Sequence, residues 1–264
     1  MRTSTALAVA IVTGWVGVAL FHPLFMAEAT AVELSRLFEP PGAAAWLGTD
    51  ELGRSIGSRV LAGAAVSCGV GFVVVALSLV IGTVYGVACA YAGGAVDAVG
   101  ARVIDVFMAF PGILLAIALA GVLGPGAGNV LLALCAVGWV GFARLARAQT
   151  LALKHRDHVA VGRALGSGTC FILVRHILPL AAAPLIVEAT FALAAIIVAE
   201  AGLSFLGLGA QPPTPSWGSM IRQGMQYVLV APHMLLGPCV ALMSVAISAN
   251  LLGDRLRDRW QIKR

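Results

Sequence analysis

Six stretches of the chain run apolar for about the length of a bilayer-crossing helix, roughly 20 residues against a hydrocarbon core of ~30 Å. They cover residues 6–26, 66–91, 103–123, 129–146, 180–202 and 231–252, and the second and fifth are long enough to tilt. A transmembrane β-strand would alternate apolar and polar positions over ~10 residues. The stretch "FVVVALSLVIGTVYGVACA" at 72–90 does not alternate. The pattern predicts an all-α membrane protein with six transmembrane helices.

Two runs carry local complications. The first follows a single Arg2 and leads into "MAEATA" at 26–31, a stretch that resembles a cleavage site. The apolar part of a signal peptide is usually 7 to 15 residues; this run is longer, so it is expected to remain as a span. The third contains "FPGILLAI" at 110–117, where Pro111 and Gly112 predict a kink able to act as a hinge.

Composition agrees with the pattern. Of 264 residues, 60% are apolar and 11% charged, with a mean hydropathy of +0.96, against roughly 25% charged residues in soluble domains. Charge then orients the spans, because cytoplasmic loops carry the excess of Lys and Arg. Arg144, Arg147, Lys154, Arg156, Arg163 and Arg175 lie between the fourth and fifth runs against Asp157 alone. The tail adds Arg255, Arg257, Arg259, Lys263 and Arg264 against Asp254 and Asp258. Both segments are expected in the cytoplasm, and with six spans both termini are. The segment between the first two runs balances Arg36, Arg54 and Arg59 against Glu28, Glu33, Glu39, Asp50 and Glu51, and faces outward. A net charge of +5 is thus a matter of topology beside anionic lipid and gives no reason to invoke nucleic acid.

Candidate chemistry is sparse. Cys68, Cys89, Cys135, Cys170 and Cys239 are odd in number and show no C-x-x-C spacing, so neither a disulfide nor a redox centre is expected. His155 and His158 stand three apart, but Lys154 and Arg156 repel a cation and no third ligand is near, so no metal site is expected. No G-x-S-x-G, H-E-x-x-H or phosphate-cradling G-x-x-x-x-G-K-[ST] motif occurs. The chain therefore has no catalytic residues to nominate and is not expected to bind a nucleotide. An intramembrane hydrolase would need paired acids or Ser with His at membrane depth, and only Glu188 lies deep. An ion-coupled secondary transporter usually shows internal repeats, and none is evident.

The segment between the fourth and fifth runs is the exception to the apolar pattern. It spans roughly 30 residues where bundle connections usually need 2 to 8. Residues 157–166 are helix-compatible, Gly166 offers a turn or C-cap, and a second helical stretch at 169–177 is expected to end at Pro179. A helix, glycine break and helix lying on the cytoplasmic face is either a solvated connector or a docking element for a partner.

"DHVAVGRALGSGTCFILVRHILPL" at 157–180 resembles the cytoplasmic EAA loop of the permease subunits of binding-protein-dependent ABC importers, with Gly166 and Leu178-Pro179 on the family's spacing. Three further stretches resemble the dipeptide, oligopeptide and nickel branch, second-permease type: "WLGTDELGRSIGSRVLAGA" at 46–64, "GWVGFARLARAQTLALKHRDHV" at 138–159 and "AEAGLSFLGLGAQPPTPSWGSMI" at 199–221. With "NLLGDRLRD" at 250–258 the similarity covers most of the chain. There are departures: the triplet that names the loop reads Ala160-Val161-Gly162 and lacks its acid, and Ser55 stands where the branch usually has Asp.

The resemblance implies a type I (MetI-like) importer permease in the bacterial inner membrane. Its five-helix core would span 46–264, with a coupling loop at 150–178 and a cytoplasmic tail, preceded by an N-terminal helix and outer linker at 1–45. It implies a second permease subunit in a heterodimer, two cytoplasmic ATPases that bind ATP and Mg, and a soluble or lipid-anchored solute-binding protein. The solute would be a dipeptide, an oligopeptide, nickel or haem. Carried onto this sequence, the ATPase-docking surface comprises Asp157, Ala160, Arg163, Ala164, Leu165 and Gly166. Arg163 makes a charge-assisted contact there, or is simply a snorkelling cation.

An acid at the centre of a span costs roughly 2.5–3.5 kcal/mol, so Glu188 is expected on the translocation path or in a hydrogen bond to a neighbouring span. Glu200, with Ser204 and Phe205, falls in the gate region, where it would pair with the partner subunit or cap the loop helix. Gly53, Arg54, Pro213 and Trp217 are expected in outer contacts, Trp217 as an interfacial anchor. Arg102 and Asp105 read as a local ion pair.

Overall fold

In the computed structural model, which describes residues 2–43 and 45–261, the first apolar run is broken into α1 (Arg2–Leu20) and α2 (Pro23–Thr30), bent by 71°. Pro23 has no N–H to return to the carbonyl of Ala19. The ring of His22 takes its place, with Nδ1 donating to that carbonyl at 3.0 Å. The third run behaves similarly. α4 (Gly94–Ala109) and α5 (Gly112–Leu123) meet at 82° across Phe110 and Pro111, so the expected kink is a full break. Lys263 and Arg264 of the basic tail lie outside the described residues.

The other spans are longer than their apolar runs. α3 (Ile56–Ala92) starts ten residues before the second run, capped by Ser55, whose hydroxyl accepts from the N–H of Ser58 at 3.4 Å. Its 37 residues reach about 55 Å at 1.5 Å per residue, well beyond the hydrocarbon thickness. The surplus carries Ser58 and Arg59, polar residues that hydropathy discounts but that are buried here.

α6 (Ala127–Leu153) and α11 (His233–Gln261) also outrun their windows. α7 (Asp157–Ala164) is the separate short helix expected between spans. The stretch after Gly166 does not end at Pro179. α8 (Thr169–Ile172) passes through a π-helical turn, Leu173–Ile177, into α9 (Leu178–Phe205). Pro179 sits in the first turn of α9, and the N–H of Leu178 reaches the carbonyl of Leu173. The wider i→i+5 turn absorbs a proline that a continuous α-helix tolerates poorly.

Four helices are by themselves long and apolar enough to cross a bilayer, and the number rises to six if each bent pair makes one crossing. Among the described residues the only β-pairing is an isolated bridge between Thr49 and Ser55.

Packing centres on α3, which makes its most extensive contact with α6. Ser78, Gly82, Gly86 and Ala90 recur every fourth residue along one stripe of α3, all of them buried. A methyl group on Gly82 would collide with the carbonyl of Trp139, and one on Gly86 with that of Ala143. On the facing helix, a methyl on Gly138 would lie 2.6 Å from the hydroxyl of Ser78. The two backbones therefore approach as closely as small residues allow, the usual means of helix association in lipid.

Polar ties hold one end of this seam. Lys154 Nζ donates to the carbonyl of Ala90 at 2.8 Å, and Arg147 clamps Asp97 of α4 with two bonds of 2.6 and 2.8 Å. The expected pair of Arg102 with Asp105 is not formed. Both side chains are exposed on α4, and its ion pair with α6 is made through Asp97 instead.

Gly86→Val is expected to destabilise the purified protein by about 1–3 kcal/mol, the usual cost of overpacking. Unfolding in mixed micelles would measure it, with Gly69→Val, at a position where nothing lies within 4 Å of a new methyl, staying close to wild type.

Candidate functional site

The residues nominated for function gather at opposite ends of the long helices. At one end, α6 stops at Leu153 and the chain turns through an extended Arg156 into α7. Asp157 lies in the first turn of α7 and Arg163 in the last, both matched in sign to the helix dipole.

Gly166 ends the helix with φ of 78°. The N–H of Ser167 reaches the carbonyl of Gly162 at 3.0 Å and the N–H of Gly166 that of Arg163 at 2.9 Å. This pair of bonds is the Schellman arrangement, in which glycine meets the left-handed requirement without a Cβ penalty.

α7 has two distinct faces. Val159, fully buried, and Gly162 turn inward beside Ile172 and Ile177. Outward lie Ala160, Val161 (56% exposed), Ala164 and Leu165 (80% exposed), an apolar stripe with no cover among the described residues. Asp157, Arg163 and Gly166 are exposed as well. Arg163 nevertheless has an internal partner: its guanidinium carbon stands 5.1 Å from the centre of the Tyr91 ring, at the last turn of α3. It ties α7 to the bundle by a cation–π contact, worth roughly 0.5–1 kcal/mol at an exposed site. His158 faces His176 at 6.0 Å across the glycine break.

Glu188 lies half-buried on α9, with a carboxylate oxygen 3.5 Å from the position a Cβ on Gly141 would take. Among the described residues it makes no hydrogen bond to a neighbouring span. It lines an open groove of about 600 Å³ between α6, α9 and α11, together with Gln149, Pro184, Arg257 and Trp260. Glu200, three turns on, is 1% exposed. One of its oxygens accepts from Ser204 Oγ at 2.6 Å, and the other is buried with no partner among the described residues. Glu200 and Ser204 are thus brought together, while Phe205 is 39% exposed beside them.

The opposite end is organised by Asp50. One of its carboxylate oxygens accepts from the N–H groups of Leu52 and Arg54, at 2.9 and 3.0 Å. The other meets Arg54 Nε at 2.7 Å and also pairs with Arg59. Arg54 reaches Glu51 at 3.0 Å, and Arg59 donates to the amide oxygen of Gln223 on α10 (Trp217–Gln226) at 2.9 Å. Gly53 turns the loop with φ of 71°, and a methyl there would collide with the carbonyl of Glu33.

Trp217 is not an interfacial anchor but is fully buried. Its indole N–H needs a partner once buried and donates to the carbonyl of Val60 at 2.9 Å, while its backbone N–H donates to Ser67 Oγ at 3.1 Å. The ring meets Trp15 edge-on at 4.9 Å. The proline-rich loop therefore folds back onto α3, leaving Pro213 exposed on the rim of a small polar cavity. Sequence reasoning missed Tyr91, Ser67 and the hub role of Asp50. The spacing of the cations in "TDELGRSIGSR" was the available signal for Asp50; Tyr91 and Ser67 offered none.

Asp50→Ala leaves two buried guanidiniums without their shared acceptor and is expected to cost about 3–5 kcal/mol. Glu51→Ala, whose partner keeps Asp50, is expected to cost about 1 kcal/mol or less. The same micelle unfolding assay reads both, and equal losses would contradict the hub.

Comparison with known proteins agrees with this geometry. The profile of the family described as "Binding-protein-dependent transport system inner membrane component" matches residues 79–261. The glutathione transport system permease protein GsiD of Pectobacterium atrosepticum is 42% identical over 226 residues, 86% of this chain and 75% of that protein. The dipeptide transport system permease protein DppC of Alkalihalophilus pseudofirmus is 39% identical over 249 residues, 94% and 82% of the two chains. The fold is shared with the inward-facing MetNI methionine ABC transporter, at a TM-score of 0.62 and 19% identity over 75% of this chain and 95% of that one. The chain belongs to the family of inner-membrane components of binding-protein-dependent transport systems.

Proposed function

We propose that the chain is one of two transmembrane subunits of an ATP-driven importer for short peptides, powered by separate ATPase subunits that dock on α7. The carrying observation is the uncovered stripe of Ala160, Val161, Ala164 and Leu165 on a helix that is anchored to the bundle. Exposed apolar positions of this kind on a capped, rigid element suit a protein partner better than water.

The anchoring explains how docking does work. α7 is fixed on its inner face by Val159 and at its C-terminal end by Arg163 on Tyr91. α6 before it is tied to α3 by Lys154, and the chain after Gly166 runs as one helix from Thr169 to Phe205. When two ATPases close on ATP, displacement of α7 is delivered directly to α9. That helix carries both Glu188, in the groove, and Glu200, at the outer end. The bundle is thereby biased between inward-open and outward-open states, and hydrolysis resets it.

The excess of Lys and Arg around α7 and in the tail supports a cytoplasmic location for both, with both termini inside and the Asp50 region outside. The peptide assignment over nickel rests on the relatives, whose names specify glutathione and dipeptides. A second permease of similar build would complete the pathway, and a soluble receptor would deliver solute to the outer face around Gly53, Arg54 and Pro213. ATP and Mg belong to the ATPase subunits.

Leu165→Glu and Val161→Glu are expected to weaken ATPase co-purification roughly 30-fold, the equivalent of about 2 kcal/mol for a buried interface position, and to abolish peptide uptake with membrane insertion unchanged. Replacing residues 157–168 by a Gly/Ser linker should do the same. Retention of the ATPases by that linker variant would remove the docking role from α7.

A further inference from the structure

Between the start of α3, the loop at 207–214 and α10 lies a cavity of about 140 Å³ at the outer end of the molecule. Its lining includes Arg54, Arg59, Arg222, Gln211, Thr214 and Gln223, and among the described residues that line it none is acidic. Two of its arginines are nearly fully buried, at 6% and 3% exposure, and are fixed in place by Asp50 and Glu51 from behind.

We infer that this cavity binds the terminal carboxylate of a small peptide. The reading deepens the peptide assignment proposed above and rests on it. Charge is the first argument. Asp50 and Glu51 balance the buried Arg54 and Arg59, which leaves the exposed Arg222 as the one cation lining the cavity without a carboxylate partner among the described residues, and arginine keeps its proton. A monoanion completes the balance.

Unused donors are the second argument. Gln223 gives its amide oxygen to Arg59, so the amide nitrogen is left with two N–H groups that have no acceptor among the described residues. Arg222 makes no hydrogen bond or ion pair among the described residues. Its guanidinium lies over the backbone of Gly207, where a methyl group would collide with it. Gln211, by contrast, is spent on structure, donating to the carbonyls of Gly207 and Gly209 at 3.1 and 2.8 Å. What remains is a planar fork beside an amide, a donor set matched to the two oxygens of a carboxylate.

Size is the third. The cavity is well under the roughly 300 Å³ at which pockets enclose a whole drug-sized ligand. It takes an end group and leaves the rest of the peptide outside, so it discriminates by terminus rather than by side chain.

The test uses the complete complex in lipid nanodiscs, without ATP and without the soluble receptor. Arginine modification by phenylglyoxal is followed at Arg222 by peptide mass spectrometry. Acetate and N-acetyl-dialanine are expected to protect Arg222, slowing its labelling about tenfold at ten times the half-protecting concentration. The C-terminal amide of N-acetyl-dialanine should give no protection. Gln223→Leu should raise the half-protecting concentration severalfold while Arg222 labelling without ligand stays unchanged.

Equal labelling with and without the carboxylates, or equal protection by the amide, would overturn the proposal. Peptide uptake without protection sinks the pocket, whereas protection without peptide uptake sinks the substrate assignment.

Discussion

The close approach of α3 and α6 is the constraint on which the other arrangements depend. Lipid offers no hydrophobic drive to hold two apolar helices together, so association must come from contact and from hydrogen bonds. The four-residue recurrence of Ser78, Gly82, Gly86 and Ala90 lets the backbones touch along three turns. Because that seam ends at Ala90, where Lys154 is anchored, the direction in which the chain leaves α6 is fixed. Tyr91 follows immediately and receives Arg163, so the orientation of α7 is inherited from the seam.

The end of α3 away from that seam answers with a polar solution to the same problem. α3 starts ten residues ahead of its apolar run, and its first turns bury the charge of Arg59 alongside Ile56 and Val60. Asp50 gathers two guanidiniums and two N–H groups into one network, and Gln223 extends it to α10. Glu51 joins it through Arg54 and keeps its second, buried carboxylate oxygen without a partner among the described residues. The same loop brings Trp217 down onto Ser67 and Val60, beside the helix turn that carries Glu200. A proline-rich loop that looks like a surface appendage is thereby part of the interior.

Hydropathy made the spans legible because burial in lipid and burial in protein select the same residues. It misjudged their ends wherever protein replaced lipid, as at Ser58 and Arg59, which are polar and buried. Proline was read correctly as a disturbance at Pro111 but wrongly as a stop at Pro179, because a π-turn can absorb the missing N–H. The exposed face of α7 was legible from its motif. The anchoring of Arg163 was not, because Tyr91 is 72 residues away in sequence and only the seam brings it near. Arg102 and Asp105 illustrate the reverse error: spacing of i and i+3 permits a pair, but exposure leaves nothing to enforce it.

The π-turn at Leu173–Ile177 has a further effect on α9. Each residue of an α-helix advances the side-chain direction by about 100°, and a π-turn accommodates one residue more than an α-turn. Everything downstream is rotated by that increment relative to the elbow. The azimuth of Glu188 toward the groove and of Glu200 toward the interior is therefore written in five residues at the base of the helix, far from either carboxylate.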